Sequence, residues 1–199
     1  MFWIALAAQL SAPEPFQRGS WFSDSDMPSY IQTAGISRRV LTRLLVSPDG
    51  KVENCSAEVS SGEVRVDRDT CSLMMERTKF RTARWTDGSP VYGVYRLVFD
   101  WTVGSRLSGS LSDLELVVAA LPKGAHSPAT VRVMFAVDEV GKPSSCTAEI
   151  TPGIPKANWA LAPVACAEIV NRYSAIPARD TSGRAVRSVQ DATVNFVKE

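Results

Sequence analysis

The 199-residue chain has few of the groups on which catalysis rests. Its only histidine is His126, between Ala125 and Ser127-Pro128 in a segment that reads as loop. With no G-x-S-x-G beside it, a His-dependent triad has no evident nucleophile. There is no C-x-x-C pair and no glycine-rich phosphate loop, which argues against a thioredoxin-type site and a nucleotide cradle. Asp67 and Asp69 are spaced like an acid–base pair, but helix capping accounts for both. Ser60-Ser61-Gly62 reads as the turn that ends a strand. Lys and Arg total 22 against 21 Asp and Glu, a net charge of +1, which leaves no whole-chain attraction for nucleic acid or an anionic membrane. No apolar run approaches the about 20 residues of a bilayer span, so no membrane anchor is expected. Cysteines 16 and 20 residues apart within each pair do not have zinc-finger spacing. No catalytic residue, metal ligand or cofactor is assigned.

What the chain does contain is one pattern written twice. Val40, Thr42, Leu44 and Val46, then Gly50, Lys51, Cys55, Cys71, Ala83, Arg84 and Gly88, return as Val131, Val133, Phe135, Val137, Gly141, Lys142, Cys146, Cys166, Ala178, Arg179 and Gly183. The first cysteines of the two copies stand 91 residues apart and the second cysteines 95, an offset that the later positions keep. A four-residue insertion between strand and helix explains the change. Such self-similarity reads as two copies of one small domain, each of roughly 75 to 90 residues and near the lower limit of what folds alone.

In the first copy residues 39–47 alternate as a strand and close on Pro48-Asp49-Gly50, where glycine accepts a positive φ. On the returning strand Cys55, Ala57 and Val59 share one face, while Asn54, Ser56 and Glu58 share the other. The second copy sets Cys146, Ala148 and Ile150 opposite Ser145, Thr147 and Glu149. Asp67 or Asp69 is the expected N-cap of a helix on which Cys71, Met74, Met75 and Thr78 form one stripe. Cys166, Ile169, Val170 and Tyr173 repeat that stripe, with Pro163 in the first turn. Strand and helix cysteines therefore face one core, which predicts bridges Cys55–Cys71 and Cys146–Cys166 at Cβ separations of about 4 Å. Each contributes about 3 kcal/mol in the chain-entropy account. The turns Thr86-Asp87-Gly88 and Thr181-Ser182-Gly183 lead to closing strands at 95–101 and 192–197. The expected fold class is α+β: two tandem small domains, each a β-hairpin, a helix packed on one face and a closing antiparallel strand, with one internal disulfide.

Residues 1–19 read as a signal-peptide-like leader and short linker. MFWIALAAQL is mostly apolar and Leu10-Ser11-Ala12 has the small residues of a cleavage site, although no Lys or Arg precedes Arg18. Residues 20–103 form the first expected domain, the Gly/Ser-rich 104–112 a linker, and 113–199 the second domain. Asp113 opens a stretch, DLELVVAAL, that suits a short helix or an opening strand equally well. Disulfides require an oxidising compartment.

The first copy resembles the TonB C-terminal domain family. It has a Pro-containing lead-in, an alternating strand, the D-G-K-V turn at 49–52, a V-S-S-G close at 59–62 and an Asp-led helix. F-x-x-A at 80–83 and D-G-x-P-V at 87–91 follow in order. The second copy keeps Val137-Asp138, Gly141-Lys142, its cysteines, Pro177-Ala178 and Gly183, with Thr151-Pro152-Gly153 in place of the S-S-G close. The resemblance implies a periplasmic protein of a Gram-negative cell that captures an extended peptide, such as a segment of an outer-membrane transporter, at a sheet edge. The chain departs from the family in having no spanning helix or Pro-rich spacer, and the paired cysteines look like a subgroup feature.

The expected function is that of a soluble envelope protein whose partner is a protein or peptide. The candidate edge is the backbone of Val94, Tyr95, Arg96, Leu97, Val98, Phe99, Asp100 and Trp101, with Thr193 to Val197 as a lesser one. Tyr95, Phe99 and Trp101 suit a peptide groove or, at strand spacing, a core. The basic stretches 38–43 and 77–81 read as solvated faces. The alternatives are a structural component that dimerises edge to edge without a peptide ligand and, from another class, a thiol oxidoreductase.

Overall fold

Residues 38–46 set a buried aliphatic or threonine side chain at every second position and then turn at Pro48-Asp49-Gly50, so they pair with residues 52–59 as a hairpin. That hairpin begins a structure, a computed structural model, which describes residues 10–34, 38–101, 112–149 and 153–199. In chain order the elements are β1 (Glu14–Pro15), α1 (Ser29–Ala34), β2 (Arg38–Val46), β3 (Val52–Val59), α2 (Val64–Arg77), β4 (Phe80–Arg81), β5 (Ala83–Arg84) and β6 (Pro90–Trp101). The second half continues with β7 (Leu114–Val118), β8 (Ala129–Val137), β9 (Pro143–Ala148), α3 (Ala162–Arg172), β10 (Ala178–Arg179), β11 (Ala185–Val186) and β12 (Ser188–Lys198). The class is α+β and mostly sheet.

One sheet runs through both copies in the order β3-β2-β6-β12-β8-β9, with β5 also against β6 and β7 also against β12. The junction is short and parallel: Ser188 pairs with Tyr92 and Val189 with Gly93. The reading of two small domains joined by a linker thus meets a sheet hydrogen-bonded across the repeat boundary. Paired residues face the same side of a sheet. Gly93 lies on the face that α2 covers, whereas Val189 faces away from α3, so the two helices lie on opposite faces.

The segments after each helix cross over reciprocally. Ala83 and Val91 pack with Ala136 and Val189 of the second half, while Ala178 and Val186 pack with Leu45 and Val94 of the first. These two clusters contain the same positions of the repeat, 91 or 95 residues apart. The turns correspond as well. Gly50 and Gly141 have φ of 82° and 88°, and a Cβ on either would meet the carbonyl oxygen of Phe80 or Ala175 at 2.3 or 2.5 Å.

The capping expectation changes, one open alternative is settled, and the N-terminal stretch makes contacts of its own. The helix of the first copy, α2, begins at Val64, ahead of both proposed caps. Asp67 turns back to accept Ser61 N–H at 2.9 Å, and Asp69 accepts the Tyr30 hydroxyl at 2.9 Å. The stretch after Asp113 is a strand, β7, parallel to β12. The fold also begins before residue 20: Leu10 is buried, Ser11 and Arg84 exchange two backbone hydrogen bonds of 3.0 Å, and Glu14 and Pro15 pair with Arg81 and Phe80. An extended backbone and an apolar Leu10 suit it to a sheet face as well as to a leader. Residues 1–9 of the leader, all of the 104–112 linker except Ser112, and Ile150, Thr151 and Pro152 lie outside the described residues.

Candidate functional site

β6 is central on one side only. Along β2 it is paired from Gly93 to Trp101, and its other side meets β5 at Pro90 and Val91 and β12 at Tyr92 and Gly93. From Val94 onward β6 and β12 part, and the outer side of the candidate edge, Val94, Tyr95, Arg96, Leu97, Val98, Phe99, Asp100 and Trp101, has no strand partner among the described residues. Thr193 to Val197 are no free edge: β8 pairs with Thr193 to Phe196 and β7 with Val194 to Val197. The second copy has a strand, β7, at this place that has no equivalent in the first among the described residues.

The parting strands leave a cleft of about 290 Å³ lined by Leu41, Arg96, Val98, Arg132, Asp191 and Thr193, among others. Its charges are paired. Arg96 holds Glu58 through two hydrogen bonds of 3.0 and 2.6 Å and Asp113 through one of 2.7 Å. Asp113 also accepts Thr193 N–H at 2.8 Å, so this carboxylate ties β6 to β12. Burial works to lower the Arg96 pKa, but Asp113 and Glu58 outweigh it and the guanidinium stays charged. Arg132 donates twice to Asp191, at 3.2 and 3.0 Å. Its Nε also lies 3.1 Å from a Glu149 oxygen that accepts no hydrogen bond among the described residues, so that contact is electrostatic. Burial pushes the Glu149 carboxyl above its ordinary range, Arg132 opposing and Asp191 adding. Glu58 and Glu149 hold equivalent positions, as do Arg96 and Asp191, so the closing-strand charge is reversed between the halves while the glutamate is kept; the third members, Asp113 and Arg132, are not counterparts.

Of the aromatics on the candidate edge, Tyr95 and Phe99 pack toward α2 with Phe80 and Phe22, and Trp101 is buried with its indole N–H on Thr70 at 2.7 Å, so all three belong to the core. Cys55 is bridged to Cys71 and Cys146 to Cys166, with Cα atoms 5.4 Å apart in each, and none of the four is free. His126 lines a depression with Pro128 and Asn158 that adjoins the cleft, Thr130 and Ile154 lining both, and no cysteine lines it. Among the described residues no group of three or more His, Cys, Asp or Glu is placed to hold a metal. The sequence reading missed Asp113 and the Glu58/Glu149 correspondence; the same 91-residue offset that relates the cysteines would have paired the two glutamates. No family model, curated protein or solved structure gives a significant match to the chain.

Proposed function

We propose that this is an envelope protein that captures an extended peptide, adding it as a strand to the outer side of β6. The observation that carries the reading is the side of residues 94–101 left unpaired among the described residues, facing a cleft with apolar Leu41 and Val98 between two ion-pair triads. An incoming strand gains main-chain hydrogen bonds from a backbone already extended, at little conformational cost to the protein. The resemblance of residues 49–91 to TonB C-terminal domains supports the same mode and an outer-membrane transporter segment as ligand. Two disulfides fit an oxidising compartment, the periplasm in this reading. Titration of the oxidised protein with TonB-box peptides should give saturable binding, and no affinity at millimolar peptide would remove the proposal. A second reading rests on β3 and β9, each paired on one side only at the ends of the sheet: two copies joined edge to edge. Sedimentation equilibrium separates them, because that reading requires a stable dimer.

A further inference from the structure

The reciprocal clusters differ in one respect. On the outer face of the second half, Leu10 and Ala12 lie against Ala83, Val91, Ala136 and Val189 beside Met134, and Ser11 bridges the far side of β5 through Arg84. The equivalent place on the first half is a groove of about 610 Å³, bounded by Arg43, Leu45, Val94, Ile176, Ala178 and Arg179. Arg179 is the counterpart of Arg84, and on the groove side of β10 no strand or bridge pairs with it among the described residues. Arg43 is the counterpart of Met134. Its guanidinium donates to the Ile176 carbonyl at 3.0 Å and to Gln190 Oε1 at 2.9 Å, both neutral acceptors. Neither Arg43 nor Arg179 makes a salt bridge among the described residues; of the nearby carboxylates, Glu58, which lines the groove, binds Arg96, and Asp191 binds Arg132.

We infer that this groove is a second peptide site, distinct from the β6 cleft, which takes an extended acidic segment of a partner protein. The chain's own residues 10–13 show the binding geometry. A guest residue in the place of Ser11 exchanges hydrogen bonds with Arg179 N–H and C=O. Its neighbours on either side point at the sheet, one apolar against Leu45, Val94 and Ala178, the other a carboxylate meeting Arg43 where its counterpart meets Met134. A charge-assisted hydrogen bond to a guanidinium with only neutral acceptors is the selective element.

The test uses the oxidised full chain and two blocked heptapeptides, one with the sequence of residues 10–16 and one carrying Ala12→Asp. The acidic peptide should bind about tenfold more tightly, the worth of one such bond, and should shift the Arg179 amide resonance while leaving that of Arg84 in place. Arg43→Met should abolish the preference, and Arg179→Pro, which removes the outward N–H, should weaken both peptides. Equal affinities, affinities unchanged in both variants, or an acidic peptide that perturbs Arg84 instead would overturn the inference, since the ligand would then be exchanging with residues 10–16. Arg179 does not line the β6 cleft, so Arg179→Pro leaves TonB-box binding there to stand or fall separately; Arg43 pairs with Arg96 between β2 and β6, so TonB-box binding is measured in Arg43→Met as well.

Discussion

Leu44 in the first half and Phe135 in the second occupy one position of the repeat, and both are fully buried beneath a helix, yet their surroundings differ. Around Leu44 the volume comes from elsewhere in the chain: Trp21, Phe80 and Met74, with Phe22, Tyr95 and Phe99 at the margin. Around Phe135 the strand residue itself is large and the helix contributes Ala162, Ala165 and Ile169. A close-packed interior constrains total volume more than the identity at any position. The first half therefore recruits its N-terminal segment as packing material, and the second is complete with β7 and the 3-10 turn Lys156–Leu161. Among the described residues, the N-terminal segment fills the outer groove of one half and nothing fills its counterpart, so the two copies are covered unequally.

Breaking each disulfide is the largest perturbation of this comparison. Closed loops of 16 and 20 residues differ little in chain entropy, so Cys55→Ala/Cys71→Ala and Cys146→Ala/Cys166→Ala should each cost about 3 kcal/mol by urea denaturation. A large inequality between the two would show that one half depends on its bridge for more than loop closure. Next comes Gly93, whose counterpart is Ser188. A Cβ at Gly93 would lie 2.7 Å from the Pro13 ring, a contact that residues 10–13 supply on this side, and 2.9 Å from the Ala83 Cβ of β5. Gly93→Ser should cost about 1–3 kcal/mol, typical of overpacking; a neutral substitution would mean the N-terminal segment is held loosely.

The smallest effect concerns the equivalent glutamates Glu58 and Glu149. Burial raises the Glu149 carboxyl, so the fold favours its protonated form. That contribution is whole below the ordinary carboxyl range and is lost as pH rises through the raised value. Glu149→Gln, neutral throughout, should match the wild type in acid and melt higher at neutral pH. Glu58, which Arg96 holds through two hydrogen bonds, offers no such gain, and Glu58→Gln should lower the melting temperature at neutral pH.

Local patterning was enough to read the hairpins, the helices and which cysteines meet, because period and spacing act within one copy, but it turned the helix stripes: Met75 and Val170 are exposed, and the buried faces are Val66, Thr70 and Met74 on α2 and Ala162, Ala165 and Ile169 on α3. The hydrogen-bonded junction was not legible. It rests on two residue pairs, Tyr92 with Ser188 and Gly93 with Val189, and no composition marks them. Leu10 and Ala12 were equally opaque, since an apolar stretch at a chain start satisfies a leader and a buried strand alike. The parting of β6 from β12 depends on β7, whose DLELVVAAL suited helix and strand equally. The candidate edge could be named from the sequence, and the cleft it faces could not.

Native-state hydrogen exchange of the Phe135→Ala variant tests the interlocked sheet most directly. Emptying that site should cost about 3–5 kcal/mol, and if both copies share one core-forming sheet, amides of β2 should lose protection together with those of β8. Protection lost in β8 and fully retained in β2 would show two halves that unfold separately, and the shared sheet with its reciprocal crossings would be refuted.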